Sequence, residues 1–94
     1  MEGGKAMPIG KRNYSLGFIG AGNMASAIMK GVIAGSIVQP NKVYAFDVDM
    51  NKLNRLSEEL GICAVNDNRQ VVLNSDIVIL AVKPNIYSKV LLEI

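Results

Sequence analysis

The chain has 94 residues, half of them apolar, with 10 Lys and Arg against 8 Asp and Glu, a net charge of +2. That length allows one hydrophobic core, and so small a basic excess, without a run of like charges, gives no footprint for nucleic acid. One cysteine, Cys63, and no histidine exclude an intrachain disulfide, a His/Cys zinc site and histidine acid–base chemistry, and suit a reducing, cytoplasmic setting.

Residues 1–14 lack the apolar core of a signal peptide and read as a flexible lead-in outside the fold. The longest strongly apolar run, IVILAV at 77–82, is far short of the ~20 residues that cross a bilayer. From residue 15 the pattern is regular. SLGFI (15–19) predicts a short buried strand ending at Gly20. NMASAIMKGVIA (23–34) predicts a helix with Met24, Ala27, Ile28 and Ile33 toward the sheet, stopped by Gly35, with Pro40 in the following loop. KVYAF (42–46) predicts a second strand. MNKLNRLSEEL (50–60) puts Met50, Leu53, Leu56 and Leu60 on one helical face, with Asp49 or Asn51 as the cap, Glu58 and Glu59 outward, and Gly61 after it. ICAV (62–65) predicts a third strand with Cys63 in the core, NRQVVLN (68–74) a short helix or turn, and DIVILAV (76–82) a fourth strand. A last helix starts within PNIYSKVLLEI, with Ile86, Val90, Leu91 and Ile94 on its apolar side. Met24, Met29 and Met50 are expected in the core.

Strands written as continuous apolar runs, alternating with helices, indicate an α/β fold whose parallel sheet is covered on both faces. The glycines of FIGAGNMA (18–25) sharpen this. A G-x-G-x-x-G/A turn gains meaning from a strand before it, a helix after it and an acid ~20 residues on. Here Ala25 takes the third position, and Asp47 stands directly after VYAF, 22 residues past Ala25. Gly20 allows a tight exit from the strand, Gly22 leaves room for a pyrophosphate, and Ala25 permits close helix–strand packing. The free N–H groups near Asn23 and Met24 and the helix dipole face the phosphate charge. The bland alternative is a flexible loop without a ligand. The fold expected is therefore a Rossmann-like parallel sheet with flanking helices, a partial NAD(P)-binding domain over 15–94 that reads as truncated after the fourth strand and its helix. In that strand order the fourth strand lies beside the first, and its outer edge would be bare.

Asp47 bears on cofactor choice. A carboxylate there can accept both adenosine ribose hydroxyls, which favours NADH over NADPH. A 2′-phosphate ~4 Å away would be repelled by ~1–4 kcal/mol per unit charge for dielectric constants of ~80 to ~20. Asp47 turned outward as a helix cap, or Lys52 or Arg55 reaching a phosphate, would weaken that preference.

LGFIGAGNMASAIMKG (16–31) together with SDIVILAVKP (75–84) resembles the amino-terminal domain of the pyrroline-5-carboxylate reductase family, a likeness running from Leu16 to Ile94. The G-L-G-x-M-G turn usual in 3-hydroxyisobutyrate-type dehydrogenases is not matched. The resemblance implies that Ile19, Gly20, Ala21, Gly22, Asn23 and Met24 wrap the pyrophosphate. It implies that Asp47 faces the adenosine ribose and that Asn68 lies near the adenosine. Ala81, Val82, Lys83 and Pro84 would line the crevice toward the nicotinamide, with Lys83 either meeting phosphate or ribose oxygens or simply solvated. Many family members carry Ser or another small polar residue in place of Asp47 and accept NADPH, a departure that bears on cofactor choice here. The implied reaction is hydride transfer to the C=N carbon of pyrroline-5-carboxylate, giving proline, by a homo-oligomer. The family's substrate pocket and dimer contacts come largely from a helical carboxy-terminal domain absent here, so no catalytic residue is assigned within 1–94. The alternatives are the cofactor domain of another imine or β-hydroxyacid reductase and a non-catalytic NAD(H)-binding module.

Overall fold

A computed structural model describes residues 14–83 and 86–94. The lead-in therefore lies outside the described residues except for Tyr14, and so does Pro84. In chain order the elements are β1 (Leu16–Ile19), α1 (Asn23–Ala34), a 3-10 turn (Pro40–Lys42), β2 (Val43–Phe46), α2 (Met50–Leu60), β3 (Cys63–Ala64), α3 (Asn68–Asn74), β4 (Ile77–Leu80) and α4 (Tyr87–Glu93). All strands pair in parallel in the order β3-β2-β1-β4, with Ile19 opposite both Phe46 and Leu80. The chain runs outward from β1 to β3, then returns to lay β4 beside β1. That reversal opens a crevice at the carboxyl ends of β1 and β4, where ligands of such sheets bind.

Alternating side chains of β1 explain the two layers. Phe18 belongs to the core under α1 and α2, with Ala25, Met29, Val43, Leu53 and Leu56, whereas Ile19 faces the opposite core with Val71 of α3 and Val90 of α4. Both faces of β1 are thus covered, so its sequence is an unbroken apolar run. Phe18, Ile19, Met29 and Leu53 are the largest of the fully buried side chains, each stabilising by about 1.5–3 kcal/mol.

Several details differ from the sequence expectation. Ala25 and Met29 pack as expected and form the buried stripe of α1, with Ile28 and Ile33 half-buried, but Met24 is 59% exposed and Ala27 is exposed. The small side chain must face the strand for the helix to approach closely, and this rotation turns Met24 outward. Met50 is 48% exposed at the first position of α2, leaving Leu53 and Leu56 as its buried face. Cys63 is half-buried, not core: β3 is a two-residue edge strand, Ile62 takes the buried place, and the Cys63 thiol donates to the Asn41 carbonyl at 3.6 Å. On α4 Val90 is buried, but Ile86, Leu91 and Ile94 are exposed. Gly35 does cap α1, yet the left-handed residue is the next one, Ser36, with φ 58°. Among the described residues no helix is long and apolar enough to cross a membrane, and no group of acidic or sulfur side chains could hold a metal ion.

Candidate functional site

The glycine turn sits where β1 ends, above the reversal of strand order. Gly20 has φ 103°, a left-handed backbone that glycine adopts without penalty. A Cβ at this position would lie 2.5 Å from the Ala81 carbonyl oxygen, so the turn and the end of β4 are in backbone-to-backbone contact. The Gly20 N–H donates to the Phe46 carbonyl at 2.9 Å, and the Ala81 N–H donates to the Ile19 carbonyl at 2.8 Å. These bonds hold the turn between β2 and β4.

Gly22 differs in kind. Its φ of −76° suits any residue, and a Cβ there would meet nothing within 4 Å. Packing within the chain therefore gives no reason for a glycine. Gly22 is also the N-cap of α1 and supplies no capping side chain, so the first N–H groups of this 12-residue helix lack both an intrahelical and a side-chain acceptor. An open cradle before an uncapped helix start fits a phosphate group.

Two hollows flank the turn. The larger, about 440 Å³, lies beyond the strand ends on the α3/α4 side and is lined by residues including Ile19, Gly20, Asp47, Asn68 and Val82. This volume falls within the usual range for small-molecule sites, roughly 300–1,000 Å³. Apolar walls come from Phe46, Val48, Ile86 and Val90, and polar groups from Asp47, Asp67, Asn68, Lys89 and Glu93. Asn68 Nδ2 donates to Glu93 Oε1 at 2.8 Å, while Asn68 Oδ1 is buried without a hydrogen-bond partner, an acceptor open to a donor from a ligand. The smaller hollow, about 210 Å³, lies between α1 and α2 and is lined by Ala21, Gly22, Asn23, Ser26, Lys52, Arg55, Leu56 and Glu59. Neither Lys52 nor Arg55 forms an ion pair among the described residues; Glu59 instead pairs with Lys30 at 3.6 Å on the exposed surface.

Asp47 points toward the glycine turn. Its Oδ2 accepts the Ala21 N–H at 2.7 Å and its Oδ1 accepts the Asp49 N–H at 2.8 Å. Asp49, not Asp47, caps α2, accepting the Lys52 N–H at 3.1 Å. An ionised carboxylate offers about four acceptor sites, so Asp47 keeps capacity for two further donors.

Of the residues singled out in the sequence, Ile19, Gly20, Asp47, Asn68 and Val82 meet around the larger hollow, and Ala21, Gly22 and Asn23 border the smaller. Met24, Ala81 and Lys83 line neither; Ala81 contributes its carbonyl behind Gly20, and Lys83 is exposed. The sequence reading missed Asp67 and the contribution of α4, Ile86, Lys89, Val90 and Glu93. The spacing of those four was the available signal, since 86, 89, 90 and 93 fall on one helical face.

The family described as NADP oxidoreductase, coenzyme F420-dependent, matches the chain over residues 15–94. The chain belongs to this family. Within it, the chain is 49% identical over 79 residues to the pyrroline-5-carboxylate reductase of Methanosarcina acetivorans, covering 84% of this chain and 29% of the relative. Among solved structures, a pyrroline-5-carboxylate reductase from Coxiella burnetii superimposes with a TM-score of 0.78 at 39% identity, covering 84% of this chain and 29% of that one. The Plasmodium falciparum pyrroline carboxylate reductase with NADP bound gives 0.70 at 26% identity, over 84% of this chain and 28% of that one. A Myxococcus stipitatus imine reductase variant in complex with NAD+ gives 0.71 at 25% identity, over 88% and 27%. The chain thus spans under a third of the length of these relatives, and what it spans in this family is the NAD(P)-binding part.

Proposed function

We propose that the chain is the cofactor-binding portion of a pyrroline-5-carboxylate reductase, acting in proline synthesis in a reducing, cytoplasmic setting. The observation that carries the cofactor half of this reading is Gly22: a glycine that chain packing does not require, at an uncapped helix start, beside a hollow. The names of the relatives support the substrate half.

In this reading the turn from Ile19 to Met24 wraps the pyrophosphate, with the Asn23 and Met24 N–H groups donating to it. Asp47 uses its remaining acceptor capacity on the adenosine ribose, and Asn68 Oδ1 takes a donor from the adenosine. The segment Ala81, Val82, Lys83 and Pro84 runs toward the nicotinamide. When bound, the reduced nicotinamide supplies the hydride for the C=N bond. The chain's own work is to orient that ring and keep its phosphates neutralised. Catalytic residues, substrate contacts and homo-oligomer contacts belong to the part of the reductase that this chain does not span, so the chain alone binds without turnover.

Asp47 favours NADH. NADPH use is the second reading, supported by Lys52 and Arg55 on the smaller hollow beside Gly22, where a 2′-phosphate would find positive charge. Paired calorimetric titrations with NADH and NADPH test both. Tighter NADH binding is expected, with Arg55→Ala weakening NADPH severalfold and leaving NADH unchanged; binding of neither dinucleotide would overturn the reading. For the whole reductase, oxidation of NADH in the presence of pyrroline-5-carboxylate is compared with a panel of other cyclic imines. A preference for another imine would move the assignment toward the imine reductases.

A further inference from the structure

Asp47 has a feature that ribose recognition does not require. Its Oδ2 accepts the N–H of Ala21, the residue between the two glycines, from 26 positions away in sequence, and its Oδ1 accepts the N–H of Asp49. The carboxylate thus ties the phosphate-binding turn to the loop that opens α2. Ala21 is 1% exposed, so its N–H has few acceptors within reach other than the Asp47 carboxylate. The neighbouring tie, Gly20 N–H to the Phe46 carbonyl, is backbone to backbone and needs no particular side chain. The Ala21 tie exists only because residue 47 carries an acceptor of this reach. Both bonds hold consecutive N–H groups back toward β2, immediately ahead of Gly22 and of the Asn23 and Met24 N–H groups that open α1.

We propose that Asp47 is a positioning residue for the phosphate-binding turn, acting through Ala21 on any dinucleotide, in addition to accepting ribose hydroxyls. This rests on the dinucleotide reading of the turn given above. It changes what substitution at position 47 does. A residue that only selects the ribose matters only to ligands carrying those hydroxyls or a phosphate in their place. A residue that sets the turn matters to every ligand that uses the pyrophosphate seat.

The test has two readouts on the 94-residue chain, wild type against Asp47→Asn and Asp47→Ser. The first is amide hydrogen exchange without ligand. The Ala21 amide, now held by a charge-assisted bond, is expected to exchange faster by about tenfold or more in both variants. Helical amides such as those of Met29 and Leu56 should keep their rates, which separates local release from general destabilisation. The second is titration with NADH and with an NADH analogue lacking the adenosine-side 2′ and 3′ hydroxyls. The variants are expected to weaken the analogue by about tenfold, although it offers Asp47 nothing to bind. Unchanged Ala21 exchange, or unchanged affinity for the analogue, overturns the positioning role. If the wild-type chain binds neither NADH nor the analogue, the dinucleotide reading itself falls and the proposal with it. Intact binding by wild type with undiminished analogue affinity in the variants removes only the positioning role.

Discussion

Helices α1, α2 and α3 start in two different ways. At α2 the Asp49 carboxylate accepts the Lys52 N–H at 3.1 Å, and at α3 the Asp67 carboxylate accepts the Gln70 N–H at 2.8 Å. Both starts carry the negative side chain that the free N–H groups and the helix dipole favour. The start of α1, the longest helix, has Gly22 at the N-cap and so no capping side chain at all. Helix α4 also lacks a side-chain cap, at Ile86, but it is only seven residues long and is preceded by no open glycine. Of the starts of α1, α2 and α3, two carry an aspartate acceptor and the third, at Gly22, leaves its N–H groups open to an acceptor from outside the chain. Capped starts serve the fold; the bare one is the start that the proposed dinucleotide reading uses.

The largest effect that would sharpen this contrast is expected at Gly20, which belongs to the turn but serves the fold. In Gly20→Val the side chain enters the Ala81 carbonyl at a left-handed backbone position. Strain of about 1–3 kcal/mol and overpacking of similar size should add to about 2–6 kcal/mol, read as a lower urea midpoint in chemical denaturation. A midpoint within experimental error of wild type would mean that turn and β4 are not in contact. Gly22→Val should do the reverse. Its side chain enters open space on an ordinary backbone, so the denaturation midpoint should hardly move, while NADH affinity falls by about hundredfold or more. Undiminished affinity would break the comparison at its centre, because the open position would then be open for no ligand.

Much of this architecture could be read from the residues, and the reason is burial on two faces. A strand such as β1, covered by helices on both sides, must be apolar throughout, and helices with a single buried stripe repeat at another period, so element type and order emerged together. The glycine turn was legible because strand, helix and acid frame it at set distances. Where the reading failed, the deciding contact was distant in sequence or depended on helix rotation. That Asp47 also ties back to Ala21 is a contact across 26 positions that the reading did not name, and no periodicity encodes it. Ala25 packs close to the strand as expected, but that Met24 then turns outward depends on the rotation of α1, which hydrophobicity ranks the wrong way. The apolar spacing on α4 was visible, but whether that face packs against a core or lines a cavity depends on what stands opposite. In fact Val90 does both, and Ile86 borders the cavity.

The smallest expected effect tests the capped side of the comparison. Asp49→Ala removes the acceptor for the Lys52 N–H and the negative charge at the start of α2, which should cost about 0.5–2 kcal/mol of stability. The Asp49 side chain lines neither hollow, and its own N–H still reaches Asp47 Oδ1, so the seat around Gly22 should stay intact. The variant should therefore unfold at a lower urea concentration with the same slope and bind NADH as tightly as wild type. That is the mirror image of Gly22→Val, one substitution touching stability alone and the other binding alone. A loss of NADH affinity in Asp49→Ala would show that the loop between β2 and α2 transmits the state of its cap to the glycine turn through Asp47. The two kinds of helix start would then be coupled parts of one device, and the division between fold and ligand would no longer fall between them.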